Sequence, residues 1–314
     1  MDVVLLFPGQ GSQKPGMGKD LAEAFPAARD TFAAADEALG ESLSTLCFEG
    51  PADTLTLTAN AQPALLTHGA AAWAVVRDAL EGRVRAAAGH SLGEFTAYHA
   101  AGALSLSAAV RLVRERGRLM AETGTTRPGA MAAILGDLSE PVDVLCARAS
   151  ADPEGGEVVP ANYNCPGQVV ISGEVAGVEA AMALCKGAGA KRAMRLNVSG
   201  AFHSPLMRPA REGLAQAIAA AQYATPTLPV YANVTADVVR DAETAQRLCL
   251  EQLTAPVRWT ELVERLSAAY PDALFVELGP GTVLAGLVKK IAPSVATAAC
   301  GTAADVEQLL NRLA

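Results

Sequence analysis

Gly89-His90-Ser91-Leu92-Gly93 lies between an apolar run and a helix-forming run. Residues 84–88 read as a short buried strand and residues 94–101 as a helix. A G-x-S-x-G at a strand-to-helix junction is the nucleophile-elbow pattern. The serine sits on a sharp, strained turn, and the flanking glycines leave room for it. Its oxygen then projects from the carboxyl end of a sheet. The N–H groups that follow, beginning with Leu92, point the same way and can stabilise an oxyanion. A plainer reading stands beside this one. Ser91 with Glu94 three residues on also fits the capping box S-x-x-E, in which Ser91 only caps the helix.

Outward from the elbow, strands and helices alternate, the pattern of an α/β fold with a mostly parallel sheet covered on both faces. Residues 3–7 form a first strand, buried on both sides by its continuous apolar run. Helical patterns occupy 27–39 and 62–80, and Ser107 is the expected cap of a helix at 108–122. The Gly, Thr and Pro of 123–129 read as a junction. Beyond it the order becomes strand 130–135, helix 140–149, strands 157–163 and 168–172, helix 175–187, strand 191–197. That β-α-β-β-α-β sequence is ferredoxin-like, with an exposed turn at 152–156. The expected division is a large body, 1–127 and 199–314, carrying a small α+β insert, 128–198. The body resumes with helix 205–221, strand 230–234, helices 242–253 and 260–269, strand 274–277 and helix 303–313.

The chain has 314 residues, of which 51% are hydrophobic and 18% charged, enough for a sizeable core. A net charge of −8 without a basic run argues against a nucleic-acid partner. The six cysteines are scattered, form no C-x-x-C, and read as reduced core thiols of a cytoplasmic protein. No metal site is expected. The first apolar run stops at Pro8-Gly9, too short for a signal peptide, and no stretch approaches the roughly 20 apolar residues of a membrane span. A monomer is the default expectation.

A serine nucleophile needs a base, and the chain offers four histidines. His90 adjoins Ser91 in sequence, so its side chain diverges from it. His68 lies in an Ala-rich helical run and reads as a core residue. His99 is inside the elbow helix. His203 lies in a turn-rich stretch just before a helix and is the base by elimination. No acid stands out as a third member, but a backbone carbonyl can orient a neutral imidazole. The loop Phe7-Pro8-Gly9-Gln10-Gly11 lacks the G-K-[ST] ending of a phosphate loop, and the Gln10 N–H is a candidate second oxyanion donor. Within Arg111–Met120, a solvated face is the expectation for Arg111, Arg114 and Arg118. Arg116 shares a face with Met120 and is placed to bind a carboxylate.

Together these segments resemble the malonyl-CoA:acyl carrier protein transacylase family, which shares its acyltransferase fold with polyketide synthase domains. The motifs are FPGQGSQ near the N-terminus, GHSLGE at 89–94, the Arg-Gly and Met of 116–120, GAMAAI at 129–134, NYNCPGQVVISG at 162–173, GAFHS at 200–204, APVRW at 255–259 and ELGPG at 277–281. The resemblance implies a hydrolase-like α/β body with an inserted ferredoxin-like subdomain and a site in the cleft between them. It implies Ser91 as nucleophile, His203 as base, and the Gln10 and Leu92 N–H groups as oxyanion donors. Arg116 matches the carboxylate-binding arginine. Gln252 matches the glutamine whose backbone carbonyl supports the histidine. Met120, Met131, Asn162, Phe202 and Val283 fall on acyl-pocket positions, and Gln62, Lys191 and Arg192 on positions near the CoA arm. The plainer alternatives are a turn hydrogen bond for Asn162 and a solvated strand end for Lys191 and Arg192.

The implied reaction is ping-pong transfer of malonyl from malonyl-CoA to the phosphopantetheine thiol of acyl carrier protein through a malonyl-Ser91 ester, in fatty-acid synthesis, with no cofactor. The Phe202 ring argues for malonyl over methylmalonyl. The alternatives are loading of a polyketide carrier protein, a thioester hydrolase, and a non-catalytic carrier-docking chain.

Overall fold

A computed structural model describes residues 1–152 and 155–313, so the turn expected at 152–156 falls partly outside the described residues. In chain order the strands are β1 (Val3–Phe7), β2 (Val84–Gly89), β3 (Ala130–Leu135), β4 (Val158–Cys165), β5 (Gln168–Gly173), β6 (Arg192–Arg195), β7 (Val230–Tyr231), β8 (Val238–Val239), β9 (Leu274–Glu277) and β10 (Ala296–Ala299).

Every residue of β1 is apolar and buried, and its side chains divide between two cores. Val3, Leu5 and Phe7 enter one cluster. Val4 and Leu6 enter another with Trp259 and Phe275 on the opposite face. A strand with a core on each side belongs in mid-sheet, and the order β10-β9-β1-β2-β7-β8 puts it there. All pairings are parallel except β7 with β8. Phe7 pairs with Gly89, so the loops after β1 and β2 leave the same sheet edge side by side.

The second sheet, β4-β5-β3-β6, is antiparallel throughout, the ferredoxin-like order that the element sequence predicts. Ala130, Ala132, Ile134 and Ile171 face a core closed by helices Val142–Ser150 and Val175–Gly187. The alternate residues, Met131 and Val170, face the large body. Backbone bonds from Tyr163 N to Val257 O (2.9 Å) and from Val257 N to Ala161 O (2.8 Å) tie this sheet to the segment before helix Trp259–Ala269.

Local chemistry differs from expectation in several places. Ser105, not Ser107, caps the long helix, its Oγ accepting from Ala108 N at 3.2 Å. The helix runs Leu106–Thr126, through most of the expected junction. Thr125 and Thr126 bond back to the Ala121 and Glu122 carbonyls, and Gly124 lets Ser199 O approach to 1.9 Å from where a Cβ would stand. Those residues read as loop but serve close packing. Helix Val283–Ile291 escapes a local reading because its cap is remote. The Glu277 carboxylate, on β9, accepts from Leu284 N at 3.0 Å and Ala285 N at 2.8 Å. Short elements such as Lys19–Ala24, Leu43–Glu49, Ala52–Thr56, β8 and β10 also carry too little periodicity to read. Among the described residues no helix is long and apolar enough to cross a membrane. No cluster of metal-ligand side chains occurs among them either. All six cysteines are free and buried.

Candidate active site

Ser91 stands between β2 and helix Gly93–Ala100 with φ 52°, in the left-handed region. For a residue with a Cβ that conformation costs about 1–2 kcal/mol. The turn is held by Asn233, whose Oδ1 accepts from Ser91 N at 2.6 Å and whose Nδ2 donates to Gly89 O at 2.7 Å. The glycines are required by contact: a Cβ on Gly89 would stand 1.9 Å from the Gly93 carbonyl carbon, and one on Gly93 would stand 2.0 Å from Phe7 O. The capping-box reading is not realised. Glu94 bonds Asn233 N and Gln252 Nε2, and the Ser91 hydroxyl turns to His203.

Ser91 Oγ and His203 Nε2 are 2.8 Å apart. His203 also has a left-handed backbone, φ 56°. Its Nδ1 faces the Gln252 carbonyl at 2.9 Å. A carbonyl only accepts, so Nδ1 carries the proton and Nε2 is left to accept from the serine. Burial, then the neighbouring Arg116 charge, pushes the imidazole down to about 3, so it is neutral at physiological pH. The other histidines are engaged elsewhere: His90 Nε2 with Asn164 Oδ1 (2.8 Å), His68 Nε2 with Gly301 O (2.9 Å) and His99 Nδ1 with Leu104 O (3.0 Å).

Arg116 projects from the middle of the long helix and is 1% exposed. Its Nη1 donates to Gln62 Oε1 at 2.7 Å, and its Nη2 donates to Gln252 Oε1 at 2.8 Å and to Ser91 Oγ at 3.1 Å. The guanidinium lies 5.5 Å from the centre of the Phe95 ring. Burial lowers it to about 10, which leaves it cationic at neutral pH. Its hydrogen-bond partners are all neutral, so a buried positive charge stands beside the serine without an ion-pair partner among the described residues. Arg111 and Arg118 are exposed as expected. Arg114 departs from the solvated face: half-buried, it donates to Ala59 O at 2.7 Å and pairs with Glu41.

A cavity of about 380 Å³ opens on these groups. Ser91, Leu92, Gln10, Arg116, Met120, Phe202 and His203 line it from the large body, and Met131, Ala133, Asn162 and Val170 line it from the helix-free face of the small sheet. The register explains the grouping, since Ala133 and Asn162 flank Val170 from either side. Neither the Gln10 nor the Leu92 N–H finds an acceptor among the described residues.

Four expected positions are not part of the cavity lining. Gln62 is 1% exposed and bonds Arg116 and Met120 Sδ, so it supports the arginine rather than meeting the CoA arm. Val283 is 55% exposed at the start of its helix, because that helix buries Leu284, Leu287 and Val288 instead. Lys191 and Arg192 are solvated at the far end of β6: Arg192 pairs with Leu135, whereas the cavity meets the chain at Leu196–Val198.

Behind the site lies a polar layer that no local sequence signal marks. Glu94 is fully buried, with Asn233 N (2.9 Å), Gln252 Nε2 (2.7 Å) and Tyr98 Oη (3.3 Å) donating to it. Burial raises its carboxyl to about 7 against those hydrogen bonds. Glu94 was visible as part of GHSLGE, but no local signal tied Asn233 or the Gln252 amide to it.

An acyl transferase domain model matches residues 4–308. A malonyl CoA-acyl carrier protein transacylase of Bacillus subtilis is 47% identical over 313 residues, covering 99% of this chain and 97% of the relative. The structure of an acyl-carrier-protein-S-malonyltransferase from Bartonella henselae superposes with a TM-score of 0.94 at 42% identity, covering 100% of this chain and 99% of that one. A malonyl-transacylase solved in complex with its type II PKS acyl-carrier protein gives 0.93 at 41% identity, with 99% and 100% coverage.

Proposed function

Because the chain belongs to the acyl transferase domain family, we propose that it moves a malonyl group from malonyl-CoA to the phosphopantetheine thiol of acyl carrier protein. The observation that carries this reading is one hydroxyl, Ser91 Oγ, lying 2.8 Å from an unprotonated imidazole nitrogen and 3.1 Å from a buried guanidinium. A base and a carboxylate receptor on one nucleophile are what transfer of a carboxylated acyl group requires.

His203 Nε2 takes the Ser91 proton as Oγ attacks the thioester carbonyl. The tetrahedral oxyanion lies on the Gln10 and Leu92 N–H groups, each such donor being worth about 3 kcal/mol. Collapse breaks the C–S bond, His203 gives its proton to the departing sulfur, and CoA leaves as the free thiol. The carrier thiol then attacks the malonyl-Ser91 ester, His203 takes its proton, and that proton returns to Ser91 Oγ. The Gln252 carbonyl stabilises the imidazolium in place of a triad acid. Arg116 holds the malonyl carboxylate, and an acetyl group would leave the guanidinium unpaired. Met120, Met131, Asn162 and Phe202 shape the acyl chamber, and the Phe202 ring leaves little room for an α-methyl.

In this reading the body of 1–127 and 199–314 supplies the chemistry and the insert of 128–198 supplies one wall of the chamber. The enzyme works as a cytoplasmic monomer without a cofactor, and its product feeds fatty-acid synthesis. Its free, buried cysteines suit a reducing compartment. Loading of a polyketide carrier is the second reading, favoured by the likeness to a transacylase solved with a type II PKS carrier protein. Transfer rates over both kinds of carrier separate the two.

The test is covalent trapping. Radiolabelled malonyl-CoA should leave label on Ser91, discharged by acyl carrier protein, and Ser91→Ala should take up none. Active protein without an adduct, or free malonate as the main product when carrier is present, would overturn the reading.

A further inference from the structure

Glu94 reaches both halves of the site without lining the cavity. Its Oε2 accepts from Gln252 Nε2 at 2.7 Å and from Asn233 N at 2.9 Å. Gln252 in turn presents its Oε1 to Arg116 at 2.8 Å and its backbone carbonyl to His203 at 2.9 Å.

A side-chain amide can point either way round. Glu94 Oε2 faces the Asn233 backbone N–H, a donor, and so is an acceptor whatever the charge of the carboxyl, and a guanidinium donates only. With Glu94 at one end and Arg116 at the other, a single orientation of the Gln252 amide satisfies both. The reversed amide would set its NH2 against the guanidinium and its oxygen against the carboxylate. The same arrangement keeps the negative charge off Arg116. A carboxylate in direct contact with that guanidinium would occupy the surface that a substrate carboxylate needs, and the interposed amide prevents this.

We propose that Glu94 is a positioning residue for selection of the acyl group: through the Gln252 amide it orients the Arg116 guanidinium and leaves it open to the acyl carboxylate. This rests on the transfer reading above. The role is in hydrogen-bond geometry, so a neutral isostere should serve. In Glu94→Gln the amide oxygen can still accept from Gln252 and Asn233, while its NH2 meets the Tyr98 hydroxyl.

The experiment compares malonyl and acetyl loading of Ser91 from the two CoA thioesters. Unfolding temperatures establish that each variant is folded. In Glu94→Ala the malonyl-to-acetyl ratio should fall by about tenfold or more, because Asn233 N and Gln252 Nε2 lose their shared buried acceptor and the amide is held on that side only by the Ser91 carbonyl at 3.1 Å. Glu94→Gln should restore the ratio close to that of the unaltered protein. Should Glu94→Ala not fold, Glu94→Asp replaces it, keeping the carboxylate but withdrawing it by a methylene, and the ratio should fall likewise. A folded Glu94→Ala or Glu94→Asp with an unchanged ratio overturns the proposal, as does Glu94→Gln as unselective as the alanine variant. Failure of the unaltered protein to form a malonyl ester would instead overturn the transfer reading itself.

Discussion

From local sequence Arg116 belongs to a run whose other charged members, Arg111, Arg114, Glu115 and Arg118, describe a charged helix face. Tertiary packing turns that one guanidinium inward, to neutral amides and the serine. Cutting it back removes the only buried cation beside Ser91 among the described residues. Arg116→Ala should therefore lower selectivity for malonyl over acetyl by about 100-fold, the scale expected when a buried carboxylate loses its partner. Competition between the two CoA thioesters measures it, and equal losses for both would remove the carboxylate role. Ser91 and His203 were easier. One sits in a local motif, and the other was the only histidine in a turn-rich stretch ahead of a helix. The left-handed backbone that both adopt has no local signature, since neither is a glycine.

The elbow joins β2 to helix Gly93–Ala100 by packing backbone on backbone, and its glycines mark where side chains cannot go. Gly93→Ala would drive a methyl into Phe7 O, 2.0 Å from the ideal Cβ position, and that carbonyl belongs to a central strand with no slack. The expected loss is about 3 kcal/mol or more, together with most of the acylation rate, since the turn that carries Ser91 must open. Chemical denaturation and Ser91 labelling read the two effects separately. Elements with strong apolar periodicity were legible from sequence, among them β1, β3, β9 and helices Val175–Gly187 and Ala303–Leu313. Of the others, some are too short to show a period, and some depend on partners outside their own segment. Helix Val283–Ile291 is capped by a carboxylate on β9, and the C-terminal turn of the long helix is accommodated by Ser199.

The whole molecule carries a pH signature. All four histidines are shifted downward by burial, His68 to about 4 and His203 to about 3. The unfolded chain protonates them near 6.5 and the fold does not, so stability rises with pH across that window and is lost on acidification. His68 and His203 each contribute a slope of about 1.4 kcal/mol per pH unit between 6.5 and their folded values. Glu94, raised to about 7, and Glu277, also raised, act in the opposite sense between their unfolded value of 4.5 and their folded ones. Below pH 4.5 the carboxyl opposition ends while His203 and His68 are still held down by burial, so the unfolding temperature should drop as the pH falls from 4.5 to 4. Thermal unfolding over a pH series checks the sign, and a flat or rising profile would contradict it. By itself the sequence determined the α/β class, the ferredoxin-like insert and the serine elbow, because strand and helix periods and sharp turns are written in neighbouring residues, and elimination among four histidines picked out the one that meets Ser91. Only the tertiary structure decided that Arg116 is buried, that Gln62 supports it, that Val283, Lys191 and Arg192 stand outside the cavity, and that Glu94 and Asn233 back the site. Those are contacts across well over fifty residues of chain in most cases, between Glu94 and Asn233 a separation of 139. A side chain's partner at that range is set by which strands pair and which face each turns inward, and no local pattern encodes it.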